Sequence, residues 1–126
     1  MYDICLFSGT TEGRKLAEYL STTELQTLVC VATEYGEALS PKGDNVSIST
    51  GRMDEAAMAD LFQKERFALV VDATHPHAQL VTDNIISATH ATNIPYLRLS
   101  REAMQPLEDI TYVDCIAQAA LRLQNS

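Results

Sequence analysis

The segment Phe67-Ala68-Leu69-Val70-Val71-Asp72-Ala73-Thr74-His75-Pro76-His77-Ala78 constrains this chain more than any other. A continuous apolar run stops at an acid, and small, hydroxyl, imidazole and proline residues follow. Strands covered on both faces read as unbroken apolar runs, and such strands belong to parallel sheets flanked by helices. Open α/β sheets keep their ligand sites outside the carboxyl ends of these strands. Asp72, Thr74 and the histidines therefore fall where a ligand would lie. Near the N-terminus, Ile4-Cys5-Leu6-Phe7-Ser8-Gly9-Thr10-Thr11-Glu12-Gly13-Arg14 repeats the layout with a glycine-containing loop. Two such edges point to a cleft for a nucleotide or another small molecule.

The 126 residues suit one domain, 1–126, with room for a core. No apolar stretch approaches the ~20 residues of a membrane span, and Met1-Tyr2-Asp3 lacks the basic start of a signal peptide. The three cysteines, Cys5, Cys30 and Cys115, are far apart and form no CxxC. This argues against a disulfide framework or a zinc site and for a reducing, cytoplasmic setting. A net charge of −8 opposes binding to nucleic acid or anionic membrane. Local charge still decides small anionic ligands: Arg14, Lys15, Arg52 and Arg101 all fall just beyond expected strand ends. They form either a cationic rim or ordinary surface charge.

The pattern predicts strands at 2–7, 27–32, 46–49, 68–71 and 96–99, with a sixth at 111–113. Helices are expected at 11–20, after a cap at Asp54, at 78–91 and at 115–123. The second would bury Ala57, Met58, Leu61 and Phe62; the third Val81, Ile85, Ala88 and Ala91. Asn93 ends the third helix and Pro95 forbids its continuation. Gly36, Pro41 and Gly43 make 34–45 mostly loop. Strands alternating with helices give a doubly wound, mostly parallel, Rossmann-like α/β sheet with helices on both faces. The chain closes a helix and stops without a tail, as at a domain boundary.

The loop Ser8-Gly9-Thr10-Thr11-Glu12-Gly13-Arg14 joins a strand to a helix. Glycine lets backbone N–H groups approach a phosphate, and the helix N-terminus adds partial positive charge. Thr10 and Thr11 offer hydroxyls, and either can cap the helix. The spacing is neither the dinucleotide G-x-G-x-x-G nor the Walker pattern, so a capping turn without a ligand is the alternative. At the second strand end, Glu34 suits a ribose 2′-hydroxyl, as in NAD sites, whereas Thr33 with a nearby base suits a 2′-phosphate. Arg52, after the turn at Gly51, either reaches a phosphate or sits in water.

Asp72 either caps neighbouring amides or serves a ligand. His75 precedes a proline and is biased to extended backbone. His77 sits near a helix start, where the positive helix end lowers an imidazole pKa. No acid or cysteine completes a metal site with the two histidines, so no metal is expected. Either histidine suits general acid work; His90, late on a helix, reads as a surface residue.

These segments, with Thr33-Glu34-Tyr35-Gly36, Gly51-Arg52 and Ile94-Pro95-Tyr96-Leu97-Arg98-Leu99-Ser100-Arg101, resemble the precorrin-6A reductase family of cobalamin biosynthesis, called cobalt-precorrin-6A reductase in the anaerobic route. The match is to the N-terminal half of a two-domain protein. The resemblance implies an oxidoreductase that transfers hydride from NADPH to a ring double bond of a precorrin macrocycle. Cofactor and substrate would lie between two α/β domains, the second absent from this chain. Cofactor-binding roles carry over to Gly9, Thr10, Thr11 and Glu12, then to Thr33, Arg52, Asp72, Thr74 and His75. His75 is the candidate catalytic residue. Arg98 and Arg101 would meet substrate carboxylates or cofactor phosphate, which suits the guanidinium fork. Three residues depart from the family pattern. Ser8 stands where glycine is frequent, His77 where an aromatic is usual and Glu102 where proline is common. A separated domain would expose its cleft face, so pairing of two copies there is a further expectation.

Two rival classes fail on the residues. A phosphoacceptor receiver domain needs acids after its first strand and a lysine after its fifth; Ser-Gly-Thr-Thr and Ser100-Arg101 stand there. A short-chain dehydrogenase needs Tyr-x-x-x-Lys, and none of the tyrosines has a lysine four residues on. A non-catalytic nucleotide-binding or regulatory module shares the loop physics and remains the alternative; it would not require His75, Arg98 or Arg101.

Overall fold

The computed structural model describes residues 2–34, 38, 43–75 and 78–99. The elements bounded among the described residues are, in chain order, β1 (Ile4–Ser8), α1 (Thr11–Ser21), β2 (Thr27–Val31), β3 (Val46–Thr50), α2 (Glu55–Glu65), β4 (Leu69–Ala73), α3 (Gln79–Thr92) and β5 (Tyr96–Arg98). Glu34 and Ala38, in the stretch expected to be mostly loop, are helical. The sheet order is β3-β2-β1-β4-β5, and every pairing is parallel. The doubly wound α/β reading is thus met, with strand bounds shifted by one or two residues. The expected sixth strand, the last helix, Cys115, Arg101 and His77 lie outside the described residues.

Alternation along the central strands divides the core into two layers. Ile4, Leu6, Val29, Val31, Leu69 and Val71 pack with Leu16, Ala17 and Leu20 of α1 on one face. Cys5, Phe7, Leu28, Cys30 and Val70 pack with Met58 and Phe62 of α2 and with Ile85 and Ala88 of α3 on the other. Each fully buried large apolar side chain contributes about 1.5–3 kcal/mol relative to exposure. Phe62 stands edge-on to both Phe7 and Phe67, with centroids 6.1 and 6.0 Å apart. The Cys5 and Cys30 sulfurs are 3.8 Å apart as buried free thiols, and burial pushes the Cys5 thiol well above its usual range.

Caps set the helix ends. Thr10 caps α1 and Asp54 caps α2, each accepting an amide three residues on. Asn93 closes α3 in the left-handed conformation, at φ 61. Two helix faces differ from the simple apolar stripe. Ala57 of α2 and Ala91 of α3 are exposed, while Thr89 and Thr92 are buried. The buried hydroxyls donate to the carbonyls of Ile85 and Ala88 at 2.9 and 2.8 Å, so their polarity is satisfied within the helix. Among the described residues, no helix is long and apolar enough to cross a membrane.

Candidate functional site

The strand order places the switch point between β1 and β4. β1 leads through α1 to β2 on one side; β4 and β5 lie on the other. Ligands of open α/β sheets lie at such a point, outside the carboxyl ends of the strands. Here the turn after β1 meets the turn after β4. A Cβ built on Gly9 would stand 3.7 Å from Thr74 Cα and 3.9 Å from the His75 nitrogen. Thr10 joins the turns directly: its Oγ1 donates to the Ala73 carbonyl at 2.8 Å and accepts from the Gly13 amide at 3.1 Å.

Gly13 lets α1 approach the sheet. A Cβ there would come within 2.8 Å of Ser8 Oγ and 3.0 Å of Ala73 Cβ, so the buried helix start could not hold its position. In dinucleotide folds one glycine of the loop serves this close helix–strand packing. The N-terminus of α1 thereby points at the crevice. Its internal bonding begins with the Arg14 amide on the Thr10 carbonyl, at 3.0 Å. The Thr11 and Glu12 amides precede that bond and are the donors a helix start offers to an anion. The single hydroxyl hydrogen of Thr10 is engaged by Ala73, and Thr11, the next residue, is exposed. Glu12 is partly exposed in the first turn.

Thr33 and Arg52 each lie two residues beyond the paired ends of β2 and β3. The Gly51 amide donates to the Val31 carbonyl at 2.9 Å, and β2 and β3 end in register at Val31 and Thr50. The backbone after β3 turns at Gly51, at φ 128, and Thr33, Glu34 and Arg52 are all exposed.

Asp72 lies within β4 rather than after it, because pairing with β1 continues through Phe7–Asp72 and Ser8–Ala73. It is fully buried. Oδ1 accepts from the Thr74 amide at 3.0 Å, the Thr74 hydroxyl at 2.7 Å and Arg98 Nη1 at 2.8 Å. Oδ2 accepts from the Thr82 and Tyr96 hydroxyls, each at 2.8 Å. Burial pulls its pKa upward, but these hydrogen bonds outweigh burial and hold the carboxyl below its usual value. Burial, the bond to Asp72 and that charge push the Tyr96 phenol well above the usual tyrosine range. Arg98 also donates through Nη1 to Thr74 Oγ1 at 3.1 Å and through Nη2 to the Thr74 carbonyl at 2.9 Å.

The edge therefore brings Gly9 to Thr74 and His75 and Thr10 to Ala73, with Thr11 and Glu12 next in the chain, and Thr33 and Arg52 follow the paired ends of β2 and β3. Asp72 works from inside the protein, on the groups around it. Arg98, its side chain 28% exposed, bonds Asp72 and the Thr74 turn behind the crevice. His75 is exposed, and its carbonyl accepts from the Ala78 amide at 2.9 Å. Tyr96 and Thr82 escaped the sequence reading as site residues. The signal available was Tyr96 two residues before Arg98, on the same strand face.

A parallel sheet with a capped helix beside its switch point defines a Rossmann-like class of α/β protein. Residues 3–125 match the family described as Precorrin-6x reductase CbiJ/CobK. The chain belongs to that family, whose members are oxidoreductases of cobalamin biosynthesis. It is 32% identical over 124 residues to the precorrin-6A reductase of Sinorhizobium sp, covering 95% of this chain and 46% of the relative. It is 29% identical over 118 residues to the cobalt-precorrin-6A reductase of Priestia megaterium, covering 93% of this chain and 46% of that one. The solved structure of CobK precorrin-6A reductase superposes with a TM-score of 0.68 at 25% identity, over 80% of this chain and 39% of that one. The chain thus spans about half the length of the curated relatives it matches.

Proposed function

We propose that this chain is the N-terminal, dinucleotide-holding half of a reductase that reduces precorrin-6A or its cobalt form with NADPH in the cytoplasm. The observation that carries the reading is the α1 start: Gly13 seats it against β1 and β4, and its first amides face the switch-point crevice. The residues fit a dinucleotide. Thr11 and Glu12 amides and the Thr11 hydroxyl would hold the pyrophosphate. Thr33 and Arg52, just beyond the paired ends of β2 and β3, would take a 2′-phosphate, which favours NADPH over NADH. When bound, the cofactor supplies the hydride. A ring double bond of the macrocycle would take up that hydride together with a proton, at the expense of oxidising the nicotinamide. His75, exposed beside Gly9, is this chain's candidate proton donor. Arg98 and, from the resemblance alone, Arg101 would meet the substrate's carboxylates.

Calorimetric titration of the chain with NADPH and NADH tests the cofactor half of this reading. Saturable binding that prefers NADPH, and that weakens about tenfold in Arg52→Ala, supports it. Equal affinity for both nucleotides would reject the 2′-phosphate assignment. Turnover by a protein of the relatives' full length, lost in His75→Ala, tests the proton donor. Undiminished turnover would assign the proton elsewhere. A purely regulatory nucleotide module would instead bind nucleotide with no turnover in the full-length protein.

A further inference from the structure

We propose that Tyr96 and Thr82 are positioning residues of the candidate cleft: through Asp72 they hold Arg98 and the Thr74 turn in the single arrangement that faces Gly9 and His75. The proposal rests on reading that crevice as the cofactor site.

The two carboxylate oxygens of Asp72 divide their partners. Oδ1 faces the turn and Arg98, whereas Oδ2 is held by Thr82 from the start of α3 and by Tyr96 from β5. Fixing Oδ2 from two elements stops the carboxylate from rotating. The orientation of Oδ1 is then set, and with it the Thr74 amide, the Thr74 hydroxyl and Arg98 Nη1. Arg98 completes the arrangement by bonding the Thr74 carbonyl. Thr74 is therefore held through its amide, its hydroxyl and its carbonyl. Its Cα forms one wall of the crevice at Gly9.

Burial of a charged cluster is a poor source of stability, since apolar residues of similar volume often serve as well. A fully satisfied polar network does select one conformation, because each alternative leaves a buried group without its partner. Such a network directly behind a ligand-facing turn suits geometric control. The Tyr96 ring packs against the core layer with Val70 and Ile85, so Tyr96→Phe keeps the packing and removes only the hydroxyl.

Tyr96→Phe, Thr82→Val and Thr82→Ser are compared with the parent chain in two measurements. Amide hydrogen exchange is read at Thr74, with Leu6 in the central strand as the reference for global opening. NADPH affinity is read by calorimetry. Tyr96→Phe and Thr82→Val are expected to speed Thr74 exchange about tenfold more than they speed Leu6 exchange. NADPH binding should weaken by about 3–10-fold in the same variants, and Thr82→Ser should restore both. Unchanged Thr74 exchange, or acceleration shared equally with Leu6, would overturn the proposal. So would unchanged NADPH affinity with a loosened turn. If the parent chain binds no NADPH, the cofactor reading fails, and the exchange data alone still decide whether Tyr96 and Thr82 position the turn.

Discussion

Thr10 and Ala73 stand 63 residues apart in sequence, yet the Thr10 hydroxyl donates to the Ala73 carbonyl at 2.8 Å. The same oxygen caps α1 through the Gly13 amide. One side chain thus starts a helix and fastens the two turns that line the switch point. Thr10→Ala should lose about 1–2 kcal/mol in urea unfolding, since it removes a cap and a cross-strand bond together. Thr10→Ser should recover most of it. An unfolding midpoint unmoved in Thr10→Ala would show that the hydroxyl serves a ligand instead.

The two loop glycines should separate folding from binding. Gly13→Ala puts a methyl 2.8 Å from Ser8 Oγ and 3.0 Å from Ala73 Cβ, so α1 must shift. A loss of about 1–3 kcal/mol is expected from this overpacking. A Cβ at Gly9 meets only ordinary contacts, at 3.7 and 3.9 Å, and the residue is exposed. Gly9→Ala should fold within about 0.5 kcal/mol of the parent and still weaken NADPH binding, because the methyl enters the crevice. Thermal unfolding and titration of both variants check this, and the reverse pattern would exchange the roles assigned to them.

Much of this arrangement is legible in the sequence, and the reason is period. Continuous apolar runs at 4–7 and 69–71 announce central parallel strands, and Asp54 and Asn93 mark helix ends through backbone chemistry that needs no tertiary context. The misread positions depend on context. Thr89 and Thr92 look polar, but each hydroxyl is satisfied one turn back, so α3 buries them and exposes Ala91. Asp72 was recognisable as an acid at a strand end, but its partners were not. Tyr96 and Arg98 reach it only because β5 pairs with β4 in the register Val70–Tyr96 and Asp72–Arg98. A strand pattern fixes which residues share a face, and only the neighbouring strand fixes what they face.

The same network predicts opposite pH limbs of stability. The Asp72 pKa is lowered in the native state, so the unfolded chain binds its proton more readily. Its contribution is complete above the ordinary carboxylate value of about 3.9 and is lost as pH falls through the lower native value. The Tyr96 pKa is raised, so its contribution is complete below about 10 and is lost as pH rises towards the native value. Urea unfolding across pH should show both limbs. Asp72→Asn should flatten the acid limb and Tyr96→Phe the alkaline one. A full alkaline limb persisting in Tyr96→Phe would assign that limb to another group.

Arg98 gives the sharpest contrast between a structural and a ligand-facing role. Its guanidinium carries the charge that faces Asp72 at 2.8 Å, and Asp72 is fully buried. Arg98→Met keeps the stem and strands the carboxylate. Removing one partner of a buried pair costs about 3–5 kcal/mol. Because Arg98 is itself partly exposed, about 2–3 kcal/mol is expected here. Arg98→Lys should recover little, since an ammonium cannot serve Asp72 and the Thr74 carbonyl from one planar fork. In a double-mutant cycle, adding Asp72→Leu to Arg98→Met should cost less than the sum of the two single losses. Additive losses with a small effect of Arg98→Met alone would mean that the guanidinium is not committed to Asp72, leaving its whole fork available to a carboxylate or phosphate in the crevice.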